Sequence, residues 1–530
     1  MKKILLFSIS TLYISAKAQT ELVFVYFKDK PNKSTFYANP LSELSQKSLD
    51  RRTALGIPLN DQDAPIESTY IQNIQNLGFV VTDYSKWLNG VAVNATAAQK
   101  IILQSQSYVQ SVESFAKNNS IGNKSQHESK WEFNKATLAN FNYGSGLDQI
   151  NQINLRNLHI AGFTGNGISI AVIDTGFPNV DTGSAFSRLW TNNKIKGGYN
   201  FVSKNNDIYN TSLNAHGTVV LGAIGGYIDG SFVGSAPDAD FYLYVSENYN
   251  QEIPEEELYW IEAAEEADRK GVEVITTSLG YTTFDDPKYN YTYANMNGST
   301  SFIARGAQIA VEKGIFVLAA AGNAAQQPWH YLYTPADNEK VFSIGAVDNN
   351  GNSSTFSSYG PNSAGIIKPD ASARGTLTAT VNGNSTTAVS GTSLATPVAA
   401  GGVACFLQAF PTINRNLLRN KLRETASLYP NSTNQMGYGI LNFGNMYSSL
   451  QTNEMNIVES VKIIPNPTHD FVEIQSLKKI DTVVVFDALG RKIFAVKNSK
   501  KVNLTQLKPG IYYLEINAEG KKTIEKIIKK

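Results

Sequence analysis

The feature that constrains the fold most is a regular alternation of apolar strand-like runs with helical stretches between residues 147 and 450. The strand-like runs are Ile168–Ile173, Phe241–Val245, Val272–Thr276 and Ile315–Ala320, and the longest helical stretches between them are Pro254–Lys270 and Ser301–Lys313. Parallel strands need long crossover connections and are buried on both faces. The alternation therefore predicts an α/β domain with a parallel sheet, as three layers with helices on both faces.

The region before this domain has a different pattern. Residues 19–116 contain two strand-like runs, Leu22–Phe27 and Gly90–Asn94, and a helical stretch at Thr96–Gln104, which together predict a small α+β domain. Residues 117–146 are rich in Asn, Ser, Lys and Gly, a composition typical of a linker. We expect the chain to be cleaved within this linker.

The end of the chain, residues 451–530, changes character again. Short alternating strands at Phe471–Ile474, Thr482–Phe486 and Ile511–Ile516 are separated by turn residues such as Pro509-Gly510. This pattern predicts a small β-sandwich.

The first 18 residues have the three parts of a secretory signal peptide. A basic start, Met1-Lys2-Lys3, precedes a mostly apolar run from Ile4 to Ile14 and a small-x-small site at Ala16-Lys17-Ala18. A short core helix is the alternative. No later run is expected to reach the roughly 18 apolar residues of a membrane span, so we expect export and no transmembrane segment.

Composition narrows the classes of function. The 530 residues carry a net charge of +1, with pI near 7.6, so no broad basic field favours nucleic acid and we expect no such partner. The one cysteine, Cys405, excludes an internal disulfide and any multi-cysteine metal site, and we expect it to be a buried small hydrophobe.

Four short segments carry candidate chemistry. Asp174 in Asp174-Thr175-Gly176 ends a buried-type strand, where α/β sheets place ligands, and His216 begins a helical segment. Ser393 begins an apolar helix, whose N-terminal dipole and N–H groups favour negative charge. Asn323 follows a strand and could donate to an oxyanion. Each residue alone has an ordinary structural explanation as a turn, core or capping residue.

Together, these segments resemble the signature blocks of the subtilisin-like serine proteases, in the family order Asp, His, Asn, Ser. The matching stretches are Asp174-Thr175-Gly176, His216-Gly217-Thr218, Ala320-Ala321-Gly322-Asn323 and Gly391-Thr392-Ser393-Leu394-Ala395-Thr396-Pro397. The resemblance implies a secreted endopeptidase that cleaves protein or peptide substrates through an acyl-enzyme. Asp174, His216 and Ser393 would form its catalytic triad, and Asn323 would bind the oxyanion.

The resemblance extends to the substrate pocket. Ser278-Leu279-Gly280 resembles the family strand that lines the primary specificity pocket, and Ala321 and Gly322 would form the opposite wall. These small, uncharged walls predict an apolar or aromatic residue before the scissile bond. Leu394 and Val398 depart from common family residues at positions that carry no chemistry.

No organic cofactor is implied. Calcium is common in the family, but no compact run of carboxylates has loop-ligand spacing, so no metal ligand is assigned and calcium stays possible. We expect a monomer. The segment Tyr281–Asn297 is interpreted either as a surface loop or as a substrate contact at the groove edge.

The flanking domains have resemblances of their own. Asn89–Val93 and Val109–Val112 resemble the subtilisin-type inhibitory propeptide. Pro465–Thr468, Leu507–Tyr513 and Lys526–Lys530 resemble the type A C-terminal sorting domain of the type IX secretion system. That resemblance implies the secretion machinery as a partner, passage across an outer membrane and an extracellular or cell-surface location. A structural or carbohydrate-binding β-sandwich is the alternative.

Two other functions stay open at this point. A surface adhesin or binding protein could use a catalytically weak protease fold, although all four chemical positions are intact. An esterase is the second alternative, because Gly391–Ala395 approaches a nucleophile elbow. That elbow lacks its second glycine, and the order of Asp, His and Ser along the chain differs from that of esterases.

Overall fold

The structure, a computed structural model, describes residues 19–117, 132–134, 143–458, 462–476, 479–488, 490–518 and 521–530. Contacts divide the chain into two compact units, Met1–Asn445 and Met446–Lys530. The predicted signal peptide and most of the predicted linker lie outside the described residues. The boundary expected between residues 450 and 451 falls within a helix, Phe443–Val458.

The first unit contains a seven-stranded parallel sheet, which confirms the predicted α/β architecture. In spatial order its strands are Ala371–Arg374, Phe342–Val347, Phe316–Ala320, Val274–Thr277, Ser169–Asp174, Asp240–Val245 and Ile195–Asn200. Three of these strands were not predicted. Ile195–Asn200 contains two adjacent glycines, and Ala371–Arg374 is only four residues long, so neither has a clear apolar run.

Helices cover both faces of this sheet. Their bounds are Leu147–Gln152, Arg156–Ile160, Ser187–Thr191, His216–Gly225, Glu255–Lys270, Phe302–Glu312, Thr392–Ala409 and Arg415–Glu424. A further helix, Phe443–Val458, contains the boundary between the two units. Short 3-10 turns lie at Ser184–Phe186, Pro287–Tyr289 and Tyr293–Asn295. Two further antiparallel pairs are Thr378–Asn382 with Ser385–Ser390, which also pairs with Glu132–Asn134, and Tyr227–Ile228 with Phe232–Val233.

The strand Ser169–Asp174, here called the aspartate strand, lies inside the sheet, and every one of its residues is buried. It pairs in parallel with Asp240–Val245 on one side and with Val274–Thr277 on the other. Parallel strands end at the same edge of a sheet, so Asp174, Val245 and Thr277 mark one edge. Ligands of α/β sheets bind at such carboxyl ends.

The N-terminal domain is a four-stranded antiparallel sheet with helices, as predicted. Its strands, in spatial order, are Asp83–Ser85, Gly90–Ala95, Glu21–Phe27 and Val109–Ser114. Its helices are Lys33–Ala38, Gln46–Leu55, Ser68–Asn76 and Ala97–Gln104, with 3-10 turns at Pro40–Ser42 and Asp61–Asp63. The Thr96 side chain caps the last of these helices by accepting a hydrogen bond from Gln99 N.

The strand Glu21–Phe27 is buried on both faces, because alternate side chains of a strand point in opposite directions. Val23 and Val25 lie in the core of the N-terminal domain. Leu22 and Phe24 instead join the core of the α/β domain. The strand therefore connects the two cores, which accounts for its unbroken apolar sequence.

Aromatic rings mark this contact between the domains. The Phe115 ring stacks on Phe302 with 3.8 Å between centroids, and the Phe24 ring lies 5.7 Å from the same ring. Phe302 begins the helix Phe302–Glu312, so the N-terminal sheet packs on the outer surface of the α/β domain.

Buried charges pair across the same contact. Asp268 accepts hydrogen bonds from Arg51 and Arg52, at 2.6 Å for the Arg52 bond. Asp63 of the N-terminal domain forms an ion pair with Lys313, with 3.0 Å between the charged atoms. Removing one partner of such a network leaves a buried charge without compensation, so these pairs make the contact specific.

The second unit is a β-sandwich, as predicted. One sheet has the order Lys462–Ile464, Phe471–Gln475, Lys501–Asn503, and the other has the order Lys492–Lys497, Ile480–Asp487, Gly510–Ala518, Lys521–Lys529. Alternate residues such as Val472, Val485 and Leu514 from the two sheets form one buried core. The period of two in the sequence is what allows this packing.

The segment Tyr281–Asn297 has no α-helix or strand, and Thr283, Asp286, Thr292 and Ala294 are exposed, so the surface-loop interpretation fits these residues but not the buried aromatic side chains. Tyr281, Phe284, Tyr291 and Met296 are buried in the same core as the helix Glu255–Lys270. Aromatic residues in a polar sequence made the segment look exposed, but their rings pack together inside the domain.

The expectation about long apolar runs also needs correction. Among the described residues, the helix Thr392–Ala409 is long and apolar enough to cross a membrane by length and composition. However, 89% of its 18-residue window is buried inside the protein. It is the central helix of the domain, and its apolar sequence is explained by that burial.

Glu262, one of the carboxylates at the domain contact, has a raised pKa. Glu262 accepts hydrogen bonds from Tyr84 N at 3.1 Å and from Lys204 Nζ at 2.7 Å, and Lys204 also pairs with Asp83. Burial raises the pKa of Glu262 from its ordinary 4.5 to about 7, against the opposite effect of Lys204. A raised carboxyl pKa favours the folded state at low pH, and this contribution is lost as pH rises from 4.5 through about 7.

We predict that Glu262→Gln reduces the fall in the free energy of unfolding between pH 4.5 and 7.5. The amide cannot ionise, so it has no buried charge at the higher pH. Urea unfolding of the full chain at several pH values, in a Ser393→Ala background to prevent proteolysis, measures this slope. Glu312→Gln, an exposed glutamate of the neighbouring helix, is the control. An identical slope in the Glu262→Gln variant and its parent would contradict the assignment.

Candidate active site

Asp174 lies at the carboxyl end of the aspartate strand and is fully buried. Its Oδ1 accepts hydrogen bonds from Thr175 N at 2.8 Å and from His216 Nδ1 at 2.7 Å. A carboxylate can only accept, so Nδ1 of His216 carries the proton in this pair. The bond thereby fixes both the ring orientation and the tautomer of the imidazole, and it leaves Nε2 as the basic nitrogen.

His216 is the first residue of the helix His216–Gly225, here called the histidine helix. Asn214 Oδ1 accepts from the His216 N–H at 2.9 Å and so caps the start of this helix. The next residue must be small, because a Cβ on Gly217 would lie 2.4 Å from Gly176 O. The missing side chain lets the histidine helix approach the end of the aspartate strand.

Ser393 is the second residue of the helix Thr392–Ala409, here called the serine helix. This helix packs against the histidine helix. Ser393 is buried, and no hydrogen-bond partner of its Oγ is found within the described part of the chain. The position at the N-terminus of an 18-residue helix favours negative charge on that oxygen. Catalytic hydrogen bonds are often long without substrate, so the missing bond to His216 does not exclude proton transfer.

The backbone carbonyl of Ser393 has an unusual partner. In a regular helix it would accept from the N–H four residues later, but that residue is Pro397, which has no N–H. The Ser278 hydroxyl donates to this carbonyl instead, at 2.8 Å. Ser278 therefore ties the end of the neighbouring strand to the serine helix beside Ser393.

Asn323 is held on the other side of the serine helix. Its Oδ1 accepts from Thr392 N at 2.9 Å and from Thr392 Oγ1 at 3.0 Å. Thr392 Oγ1 also accepts from Gly322 N at 3.2 Å. Because the amide oxygen is occupied, the Asn323 amide plane is fixed and its Nδ2 is left as the donor. The strand end Phe316–Ala320 is thus linked to the residue before Ser393.

The residues expected to bind substrate follow two adjacent strands. Ser278, Leu279 and Gly280 follow Val274–Thr277, and Ala321 and Gly322 follow Phe316–Ala320. The Leu279 and Ala321 side chains are buried in the core. The surface that these segments present is therefore mainly backbone and glycine, and the role of this surface as the pocket walls stays a prediction.

Sequence reasoning named Thr392 and Ser278 but missed the contacts by which they and Asn214 orient other groups. Thr392 holds Asn323, Asn214 caps the histidine helix, and Ser278 replaces a helical donor. One sequence signal was present for the last of these. Pro397 lies four residues after Ser393 in an otherwise helical pattern, which predicts a carbonyl that needs another donor.

The chain also contains one cysteine, Cys405, and side chains of the types that can bind a metal ion. Cys405 is buried, as predicted, and burial raises the pKa of its thiol far above the usual range, which makes it a poor nucleophile. Within the described ranges, no group of three or more His, Cys, Asp and Glu side chains is arranged to hold a metal ion.

The Ser278 contact gives a stability test. We predict that Ser278→Ala lowers the free energy of unfolding by about 1–3 kcal/mol, because the buried carbonyl of Ser393 loses its donor. Pro397→Ala restores a helical N–H, so the double variant should lose less stability than the sum of the two single variants. Urea unfolding of the four proteins measures this coupling. Ser299→Ala, at an exposed serine, is the control. Additive effects would show that Ser278 does not replace the missing helical donor.

Comparison with known proteins identifies all three regions. Residues 165–439 match the Subtilase family, which covers more than half of the chain. Residues 22–134 match the peptidase S8 propeptide domain of Bacteroidota. Residues 462–530 match the secretion system C-terminal sorting domain. The order of the three matches is the order expected from the sequence.

Individual relatives agree with the family match. Subtilisin DY of Bacillus licheniformis is 30% identical over 283 residues, which are 53% of this chain and 91% of that protein. Subtilisin Savinase of Lederbergia lenta is 30% identical over 289 residues, 54% of this chain and 92% of that protein. A thermostable alkaline protease of Halalkalibacterium halodurans is 30% identical over 296 residues, which are 56% of this chain and 72% of that protein. The chain belongs to the subtilase family and is a subtilisin-like serine endopeptidase with a propeptide and a C-terminal sorting domain.

Proposed function

We propose that Ser393 is the nucleophile of this endopeptidase and that His216 and Asp174 activate it. The observation that carries the proposal is the 2.7 Å hydrogen bond between buried Asp174 and His216 Nδ1. It leaves Nε2 of His216 as the proton acceptor. Ser393 supports the proposal by its position on a helix that packs against the histidine helix.

The reaction follows as two acyl transfers. His216 Nε2 takes the Ser393 hydroxyl proton while Oγ attacks the carbonyl carbon of the scissile peptide bond. The tetrahedral intermediate collapses when the imidazolium gives the proton to the leaving amine, and an acyl-enzyme remains. Water then attacks the ester by the same proton route, which releases the acid and restores Ser393. Asp174 stays ionised and stabilises the imidazolium in both halves.

Asn323 is proposed as the oxyanion donor. Its carbonyl oxygen is engaged by Thr392, so the Nδ2 protons are the ones available to a substrate oxygen. The N–H of Ser393, near the helix N-terminus, would be the second donor. Both donors are fixed before substrate binds, so no reorganisation is needed as the charge develops.

The other functions considered for the chain are less well supported. An esterase would need a nucleophile elbow, whereas Ser393 lies inside the first turn of a helix in a subtilase domain. An adhesin would not need the buried hydrogen bond between Asp174 and His216. Both are therefore set aside in favour of peptide-bond hydrolysis.

We further propose how the precursor is processed. The N-terminal propeptide domain would be cut from the enzyme within residues 117–146, and the sorting domain from residue 451 onward would be removed during export. Protein substrates and the type IX secretion machinery are the partners that the matched domains imply. The protein is secreted or displayed at the cell surface.

The mechanism predicts losses of different sizes at two residues. Ser393→Ala should abolish turnover, because no other group can form the acyl-enzyme. Asn323→Ala should lower kcat by roughly 100- to 1000-fold with little change in KM, since its bond forms mainly in the transition state. That magnitude is the one known for loss of the oxyanion asparagine in subtilisin, a relative of this chain. Steady-state kinetics on a chromogenic peptide measure both. Near-normal kcat in Asn323→Ala would contradict the oxyanion assignment.

The sorting domain predicts a separate export phenotype. Deletion of residues 457–530 should leave the protein in the periplasm, because the matched sorting domain is lost. The isolated enzyme should still cleave peptides, since its site lies wholly in the first unit. Cell fractionation and an activity assay measure the two outcomes. Normal secretion of the truncated chain would rule out the sorting role.

A further inference from the structure

The two wall segments of the site lie side by side and are both bonded to the serine helix. They leave the adjacent parallel strands Val274–Thr277 and Phe316–Ala320 at the same edge of the sheet. Ser278 on one segment bonds to the serine helix at Ser393, and Asn323 on the other bonds to it at Thr392. A side chain next to a carbonyl attacked by Ser393 would enter between these segments. The inference rests on the proposed function in this respect.

Residues 333 and 334 link the two wall segments. Tyr333 N donates to Ala321 O at 3.1 Å, which attaches this segment to one wall. Tyr281 N donates to Thr334 O at 3.0 Å, and Thr334 N donates to Tyr281 O at 3.3 Å, which attach it to the other wall. The backbone at 333–334 therefore bridges the two walls.

The Tyr333 ring lies between the two walls. A Cβ placed on Gly280 would lie 2.8 Å from Tyr333 Cβ and 3.5 Å from its Cδ2. A Cβ placed on Gly322 would lie 3.0 Å from Tyr333 Cγ and 3.0 Å from its Cδ1. One edge of the ring thus faces each glycine, and no side chain would fit between ring and wall. Tyr333 remains partly exposed, so it is accessible to a ligand.

The atoms nearest to the two glycines are uncharged. Among the described residues they belong to the Tyr333 side chain, the Thr334 backbone carbonyl and the Ser358 hydroxyl. A charged substrate side chain would lose its hydration there without gaining a counter-ion.

We propose that Tyr333 fills the deep part of the primary specificity pocket and is a specificity-determining residue of this enzyme. The substrate class is then peptides with a small uncharged residue, alanine above all, immediately before the scissile bond. Large side chains are excluded because a packed ring between two backbone segments cannot move aside without disturbing both. This inference narrows the apolar or aromatic preference expected from the pocket walls alone.

The test uses the secreted, processed enzyme and three chromogenic peptides that differ only in Ala, Leu or Phe before the scissile bond. The wild type should show kcat/KM at least tenfold higher for Ala than for Phe, since pocket volume differences have effects of roughly 10- to 200-fold. Tyr333→Ala should raise the Phe-to-Ala ratio at least tenfold. Tyr333→Phe, which keeps the ring, should leave the ratio unchanged.

The control is Tyr359→Ala, a partly exposed tyrosine nearby whose ring stacks on His330 and is not among the atoms nearest to either glycine. Its ratio should equal that of the wild type. The Phe-to-Ala ratio of kcat/KM does not depend on the fraction of active enzyme. If Tyr333→Ala fails to fold, the ratio measured for the wild type still tests the proposed preference for alanine. A wild type that cleaves after Phe as well as after Ala, or an unchanged ratio in Tyr333→Ala, would overturn the inference. Failure of the proposed mechanism would instead appear as cleavage that persists in Ser393→Ala.

Discussion

The hydrogen bond between Asp174 and His216 is the interaction on which the rest of the structure depends. A fully buried carboxylate is unfavourable unless hydrogen bonds compensate its lost hydration, and here the donors are Thr175 N and the imidazole. Bringing the imidazole so close requires the histidine helix to touch the end of the aspartate strand, which Gly217 permits. The central, wholly buried position of that strand fixes Asp174 in turn. The orientation of the candidate base thus follows from core packing.

The serine helix is held to the sheet by polar contacts on two sides. Pro397 removes the helical donor for the Ser393 carbonyl, and Ser278 supplies another from the neighbouring strand end. Thr392 engages Asn323 from the next strand end. These bonds connect the candidate nucleophile and oxyanion donor to the same edge of the sheet as Asp174. A site assembled in this way is positioned by rigid elements, which is what acyl transfer at a fixed distance requires.

The sequence predicted the elements whose patterns are local, and missed those that depend on tertiary contacts. The aspartate strand and the segments around His216, Asn323 and Ser393 have clear local patterns and were found. The burial of the aromatic residues of Tyr281–Asn297 was not predicted, because it results from packing that no local period records. Tyr333 was not singled out, since its importance arises only where two strand ends meet. The ion pairs of Asp268 with Arg51 and Arg52 were not predicted either, because they join residues that are far apart in the sequence.

The measurement that tests the central claim most directly is covalent labelling of the nucleophile. A fluorophosphonate reacts with a serine oxygen only where a base and an oxyanion donor activate it. After treatment of the processed enzyme, peptide mass spectrometry should find one adduct, on the peptide that contains Ser393. The His216→Ala variant should carry no adduct at the same reagent concentration. An adduct on another residue, or full inhibition with Ser393 unmodified, would contradict the account.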